Sequence, residues 1–400
     1  MKNFIYIGDN KVVMESKMNI LKNTVDIIYI DPPYNTDQKK SYKDNEYNHS
    51  SWKEMMYPRI VLGKKILNEK GVIFISIDDN QAANLKLMCD DIFGIKNFLG
   101  VFITMQSQRS NSKHINVVHE YIIAYAKNKS KVPRFESDRI DDLIEGPMIK
   151  DITTRVESVF KSLGEEAAKK ELSGLIKNYC EKLNITWLKN YNRIDDNGKV
   201  FFGKDLSTPG TPRKVAIPEI NLYLDPLPTR GWSSDEKFKE LAAKNRLYFR
   251  GERPYEITYL TEAKDNVSSI LDFYSRHGTN DLNKLGLRDL FDTPKPVDLI
   301  KYLVNIYPGE SHVVCDFFAG SGTTAQAVLE LNRDYGTNHR FILVQSEEKL
   351  NPSSAPFKKA IELDLEPTVS AIMLHRIKTF LKINDMKNEN IEIERIENNE

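Results

Sequence analysis

Cysteine is scarce in this chain. Three residues, Cys89, Cys180 and Cys315, are scattered over 400 positions with no Cys-x-x-Cys pair. Such spacing excludes a disulfide framework and argues for reduced thiols and no metal site. Long hydrophobic runs are lacking too: no stretch approaches the ~20 apolar residues that a bilayer-spanning helix needs. The opening residues, Met1 to Asp9, read as a short strand and turn rather than a secretory signal. The expectation is a cytoplasmic protein with no membrane partner. Net charge is absent as well, since 57 Lys and Arg balance 57 Asp and Glu. A polyanionic partner is therefore not announced by bulk charge and would have to be met by local patches. Neither Gly-x-Gly-x-x-Gly nor Gly-x-x-x-x-Gly-Lys-Ser/Thr occurs, which disfavours a dinucleotide or nucleoside triphosphate. No internal repeat is found.

What is present suits a globular protein of two or three domains, with 40% hydrophobic and 28% charged residues. The organising stretch is Val25-Asp26-Ile27-Ile28-Tyr29-Ile30-Asp31-Pro32-Pro33-Tyr34. Its apolar, β-branched run reads as a buried strand. The prolines cannot donate to a ladder or continue a helix, so the strand must stop there. A stiff turn carrying Asp31 and Tyr34 at the carboxyl end of a buried strand is where open α/β sheets place ligands. The alternative is a surface loop that happens to hold two prolines.

Strand-like and helix-like segments alternate from Phe4 to Ala126, which predicts a mostly parallel sheet covered on both faces. Between two of its strands, Arg109, Lys113 and His114 sit in a polar loop free of acids; phosphate contact and a plain solvated loop both fit. The rhythm changes near residue 128. Residues 131–285 contain charged helix-like segments and short pieces punctuated by Gly and Pro, and read as an inserted, largely helical or irregular module. Alternation then returns over 286–385, and an acidic, frayed tail is expected at 386–400. In the second part, the strand Val313–Phe318 runs into Ala319-Gly320-Ser321-Gly322-Thr323-Thr324, then a helix, then the strand Phe341–Val344 closed by Gln345 and acids. Strand, Gly-x-Gly, helix, strand and acid is the logic of a nucleoside-binding βαβ unit, although a plain tight turn gives the same pattern.

Phe318-x-Gly320-x-Gly322 together with Asp31-Pro32-Pro33-Tyr34 resembles the S-adenosylmethionine-dependent DNA amino-methyltransferases. The order of the two motifs resembles the β class. Gly8-Asp9-Asn10, Tyr29 to Thr36, His119-Glu120-Tyr121-Ile122-Ile123-x-Tyr125, Arg230-Gly231-Trp232 and Pro294-Lys295-Pro296 resemble the modification subunits of type III restriction systems. The likeness covers about residues 1–130 and 286–350 and thins across 131–285. The chain is short for such a subunit, so a solitary or type II-like enzyme stays open.

The resemblance implies a doubly wound, Rossmann-like methyltransferase domain split into a catalytic half, 1–130, and a cofactor half, 286–385, around a target-recognition domain, 131–285. It implies S-adenosylmethionine as cofactor, double-stranded DNA as substrate, a homodimer, and a separate helicase–nuclease partner subunit. Asp31, Pro32, Pro33 and Tyr34 would be catalytic, with the acid and a carbonyl accepting the N–H bonds of a flipped base's amine and Tyr34 stacking on it. The cofactor would meet Asp31, Phe317 to Thr324, Asp292, Lys295 and Asp9, the last near its adenine. Its ribose would be held by Gln345 or by Glu347, the nearest carboxylate. Arg109, Lys113, His114 and Arg230 are candidate DNA contacts, whereas Trp232 reads as packing. Transfer to adenine N6 is expected. Transfer to cytosine N4 and a non-catalytic DNA-binding subunit are the alternatives.

Overall fold

The computed structural model describes residues 2–36, 40–42, 47–106, 114–139, 145–386 and 390–397. It divides into two compact units, 1–135 with 267–400, and 136–266.

The first unit is built on a nine-stranded sheet. Its strands are β1 (Asn3–Ile7), β2 (Val25–Ile30), β3 (Leu67–Ile77), β4 (Phe98–Met105), β5 (His119–Ala126), β6 (Ile270–Tyr274), β7 (Val313–Asp316), β8 (Arg340–Gln345) and β9 (Ile391–Arg395). Their order across the sheet is β6-β4-β5-β3-β2-β7-β8-β1-β9. Every strand runs parallel to the rest except β5, which is antiparallel to both β3 and β4. Residues alternate between the faces: Ile27 and Tyr29 join one apolar cluster, Ile28 and Ile30 the other. Helices α1 (Asn10–Ser16), α2 (His49–Ile66) and α3 (Ala82–Phe93) cover the second face. Two further helices pack with 267–400: α4 (Arg276–Lys284) beside the sheet, and α5 (Val297–Asn305) on the first face. They are joined on that first face by α6 (Thr323–Tyr335) and α7 (Val369–Ile383). This is a doubly wound α/β unit. Asp26, the one acid inside β2, has both oxygens engaged: Asn68 Nδ2 donates at 2.6 Å and the Val313 amide at 2.7 Å.

Chain connections leave the adjacent strands β2 and β7 in opposite directions, β2 towards β3 and β7 towards β8. The carboxyl ends of such a pair open a crevice that no crossover helix fills. The Asp31–Tyr34 turn and the Phe317–Thr324 loop leave the sheet at that point.

The second unit pairs two helices, Glu145–Leu163 and Glu165–Leu183, joined at Gly164 (φ +85°). They bury Ile149, Ile152 and Val156 against Leu172 and Leu175. An antiparallel sheet of four strands, Leu247–Arg250, Arg253–Tyr259, Val200–Asp205 and Arg193–Ile194, and smaller hairpins complete it.

Three expectations are corrected. The segment 131–285 is not only helical or irregular: it also carries strands of two to seven residues, too short to give a readable alternation in the sequence. Its limits are also narrower. Phe135 packs on Phe74 and Tyr307, and β6 extends the large sheet by pairing with β4, so 131–135 and 267–285 belong to the first unit. The tail is not frayed over 391–395: β9 adds to the sheet edge beside β1, and Lys2 and Lys17 neutralise Glu392 at 2.9 Å and Glu394 at 2.6 Å.

Candidate active site

The turn after β2 is held from behind. Trp52, fully buried on α2, donates its indole N–H to the Pro33 carbonyl at 2.7 Å. That bond fixes the turn and occupies the second proline's carbonyl, while Pro32 faces a cavity. Trp52→Phe removes the donor and leaves a small cavity where the larger ring was. The expected loss is about 2–3 kcal/mol, read as a lower urea midpoint at unchanged slope.

Around Asp31 and Tyr34 lies a charged cluster. Lys295 Nζ donates to the Tyr34 hydroxyl and to Glu120 Oε2, both at 2.6 Å, and stands 3.3 Å from Asp31 Oδ1. The Tyr34 hydroxyl in turn donates to Glu120 Oε2 at 3.2 Å, and Gln106 donates to the other Glu120 oxygen. Asp31 Oδ1 is buried and accepts no aligned hydrogen bond, so the lysine is a neighbouring charge rather than a partner in a closed pair. Burial raises the Asp31 carboxyl, and Lys295 restrains that rise. Burial also pushes against the Glu120 carboxylate, but the charge and hydrogen bond of Lys295 outweigh it and leave its pKa lowered. For Lys295, burial is overcome by Asp31 and Glu120, so its pKa is raised and the ammonium stays charged. Tyr34 is raised well above 10.0 by burial and the two carboxylates.

Lys295 is placed by local packing. The segment before it lies on α4, where a Cβ added at Gly278 would fall 1.8 Å from the Pro294 carbonyl oxygen. Asp281, on the same helix, accepts the Val297 amide at 3.0 Å. Glu120 reaches the crevice because β5 runs against its neighbours and so presents its first residues where the parallel strands end.

The loop after β7 is equally constrained. Asp316, buried at the strand end, accepts the Phe318 amide at 3.0 Å and the Thr324 hydroxyl at 2.6 Å. The Gly320 amide donates to Gln345 Oε1 at 2.8 Å. Gly322 has φ +81°, and a Cβ there would stand 2.9 Å from Met373 Cγ on α7. Burial pushes the Asp316 carboxyl from 3.8 up to about 7, against the hydrogen bonds from Thr324 and Phe318, with the Asp31 charge adding to the rise. Because the folded value is the higher one, the stabilising contribution is complete below pH ~4 and is lost as pH climbs through ~7. A gap of about three in pKa, at about 1.4 kcal/mol each, bounds that loss at about 4 kcal/mol. Asp316→Asn can still accept from Phe318 and donate to Thr324. Its stability, followed by denaturant titration from pH 5 to 8, is expected to lack the decline attributable to this group.

Both loops border one cavity of about 650 Å³. Asp31, Pro32, Pro33, Tyr34, Asp292, Lys295, Phe318, Ala319, Gly320, Ser321, Thr323, Thr324 and Gln345 all line it. Other expected residues do not. Asp9 caps α1, accepting from Lys11 and Val12 amides, and pairs with Arg59 at 2.6 Å. Phe317 is fully buried on the far side, and Gly322 faces α7. Glu347 points outward to Arg395 on β9, and the acid bordering the cavity is its neighbour Glu348. Gln345 borders the cavity but spends its carbonyl on the Gly320 amide. Asp292 accepts the Ser41 amide at 2.7 Å. Arg109 and Lys113 lie outside the described residues; His114 is exposed. Arg230, in the second unit, is exposed and donates to the Ser207 carbonyl at 3.0 Å. Trp232 is buried there, with its N–H on the Asp225 carbonyl at 2.9 Å. Glu120 and Asp316 were not singled out from sequence. The readable sign for each was an acid embedded in an apolar strand.

A doubly wound unit with an acid–proline turn beside a glycine-rich loop, both at the topological switch, defines an α/β protein of nucleoside-binding type. Residues 25–354 match the family described as DNA methylase, and the chain belongs to that family. It is 29% identical to the EcoP15I Mod subunit, a type III restriction-modification enzyme of Escherichia coli, over 88% of this chain and 59% of the relative. It is 31% identical to the StyLTI Mod subunit of Salmonella typhimurium, over 87% of this chain and 53% of the relative. With the type II methyltransferase M.KpnI of Klebsiella pneumoniae it shares 28% identity over 92% of this chain and 86% of the relative. The chain thus spans a little over half the length of the two type III relatives.

Proposed function

We propose that the protein is a site-specific DNA methyltransferase that moves a methyl group from S-adenosylmethionine to adenine N6 in duplex DNA. The observation that carries this reading is the meeting of the Asp31–Tyr34 turn and the Phe318–Thr324 loop around one cavity. The cavity fits the cofactor in kind. It is large enough for a nucleoside with a second ring beside it. Its wall carries the carboxylates Asp31, Glu120, Asp292, Asp316 and Glu348, which suit a cationic sulfonium and an amine gaining charge. When bound, S-adenosylmethionine would supply an electrophilic methyl group on sulfur. Phe318 to Thr324 would hold it, with Asp292.

The chain's own residues account for the rest. An adenine amine is a poor nucleophile because its lone pair is delocalised into the ring. Asp31 and the Pro32 carbonyl accept its two N–H bonds and localise that pair. The Pro33 carbonyl is already committed to Trp52. Burial raises the Asp31 carboxyl, and the neighbouring Lys295 charge offsets part of that rise in favour of the ionised form. Burial raises the proton affinity of Asp31, so the same carboxylate takes the proton released as the amine is methylated. Tyr34, pinned by Lys295 and Glu120, offers the base a fixed aromatic face. A paired base cannot reach such a cavity, so the target is flipped out of the duplex.

Sequence recognition is assigned to the unit 136–266. On its four-stranded sheet Arg193 lies 5.3 Å from the Tyr248 ring and Arg253 lies 6.0 Å from Tyr255. Arginine–tyrosine pairs of this kind suit phosphate and base contact. The type III relatives are named as Mod subunits, which supports a restriction-modification setting. A separate helicase–nuclease partner and a homodimeric enzyme complete the proposal. Light scattering checks the latter.

The test is transfer of labelled methyl groups to mixed-sequence duplex DNA, followed by hydrolysis and chromatography of the bases. N6-methyladenine is the expected product. N4-methylcytosine alone would redirect the assignment, and binding of cofactor without transfer to any base would favour a non-catalytic subunit.

A further inference from the structure

We infer that Arg376 is a positioning residue for the carboxylate-bearing end of the methyl donor, holding the Ser321 and Thr323 hydroxyls so that a proton faces the cavity. This rests on the cofactor reading above. Arg376 lies on α7, beyond residue 354 where the family match ends.

Its side chain is fully buried. Nη1 donates to Ser321 Oγ at 2.7 Å and to Thr323 Oγ1 at 2.8 Å; Nε donates to Gln326 Oε1 at 3.0 Å. Nη2 is buried with no hydrogen-bond partner. No carboxylate of the described residues forms an ion pair with it. The acids that act on it from a distance are committed elsewhere: Asp281 to Lys284 at 3.1 Å and to the Val297 amide, Glu330 to Lys301 at 3.2 Å. Burial lowers the guanidinium to about 10, which leaves it charged at neutral pH. A buried cation without a counter-charge is costly, and is reconciled with a folded protein when an anion arrives.

The hydroxyls make the link to the cavity. Each has one O–H and accepts through its oxygen. Both oxygens accept from Arg376, so their protons turn away from the guanidinium. The two hydroxyls are 3.4 Å apart, too far for a strong mutual bond, and both residues line the cavity. Thr323 also opens the 13-residue helix α6, whose N-cap, Gly322, supplies no side-chain acceptor for the first amides. Hydroxyl donors, free amides and a cation behind them form one anion-accepting wall. The carboxylate of the donor's amino-acid end is the group of matching charge.

The test is calorimetric titration of the full chain with two thioethers, S-adenosylhomocysteine and 5′-methylthioadenosine. They share the adenosine and differ in the amino-acid end. Arg376→Met is expected to weaken S-adenosylhomocysteine by about tenfold or more, and to leave 5′-methylthioadenosine within about twofold. Arg376→Lys should recover part of the loss, because it restores the charge. Equal loss of both ligands would reduce Arg376 to a structural strut, and no loss of either would remove its role; both overturn the inference. If Arg376→Met does not fold, Thr323→Val must show the same selective loss, and a non-selective result overturns it. Failure of the wild type to bind either thioether would sink the cofactor site itself, which separates that failure from an error about Arg376.

Discussion

Asp31→Asn is expected to lower methyl transfer by about 10³-fold or more while changing S-adenosylmethionine affinity only a few-fold. The substitution keeps the shape of the turn. It removes the negative charge that faces the amine as positive charge develops there, and the only site on the turn able to take the departing proton. An asparagine also presents an N–H₂ group to a ligand that itself offers N–H bonds, so one rotamer repels the base outright. The loss should therefore fall on kcat in steady-state assays, with binding followed separately by calorimetry. Equal collapse of binding and turnover would show that Asp31 holds the cofactor rather than the reacting base.

Lys295→Met is the second large effect. It strands two carboxylates, Asp31 and Glu120, in a buried site from which their shared cation has gone. Breaking a buried ion cluster from one side costs about 3–5 kcal/mol. Thermal or urea unfolding at pH 8, where both acids must be charged, reads that cost most strongly. Burial is then opposed at Glu120 by the hydrogen bonds from Gln106 and Tyr34 and at Asp31 by Lys40 and Tyr34 but no longer by Lys295, so both carboxyls rise and the protein regains stability as the pH falls and they protonate. The activity profile moves with them: its acid limb shifts to higher pH, because Asp31 is useful only when ionised. Adding Glu120→Gln removes one stranded charge and should return part of the stability without returning activity. A double variant no more stable than Lys295→Met would show that Glu120 and Lys295 do not act as a pair.

Much of this site was readable from the chain alone. The run from Val25 to Ile30 and the prolines after it leave few conformations open, and the same holds for Val313 to Asp316 followed by two glycines. Local chemistry of that kind survives in any context. The failures share a different cause. Glu120 looked like one residue of an apolar strand, and only the reversed direction of β5 brings it to the crevice. Glu347 and Glu348 differ by one position on an irregular segment, where no period says which side chain turns inward. Asp9 fits its helix cap and Arg59 as well as any ligand, which spacing cannot reveal. The segment 276–284 reads as part of an insert until Gly278 is seen against the backbone that carries Lys295. Each miss is a long-range contact, and sequence patterns report mainly short-range ones.

The strand Ile391–Arg395 has a consequence for the solution behaviour of the protein. Without it, the five residues Asn3–Ile7 would offer a row of free amides and carbonyls to any extended peptide. With it in place, that row is paired, and the exposed Glu392, Glu394 and Arg395 of the added strand are tied by ion pairs to Lys2, Lys17 and Glu347 of the same unit. A tail in which acids alternate with isoleucine thereby caps the β1 edge, placing charged side chains where a bare strand would invite further pairing.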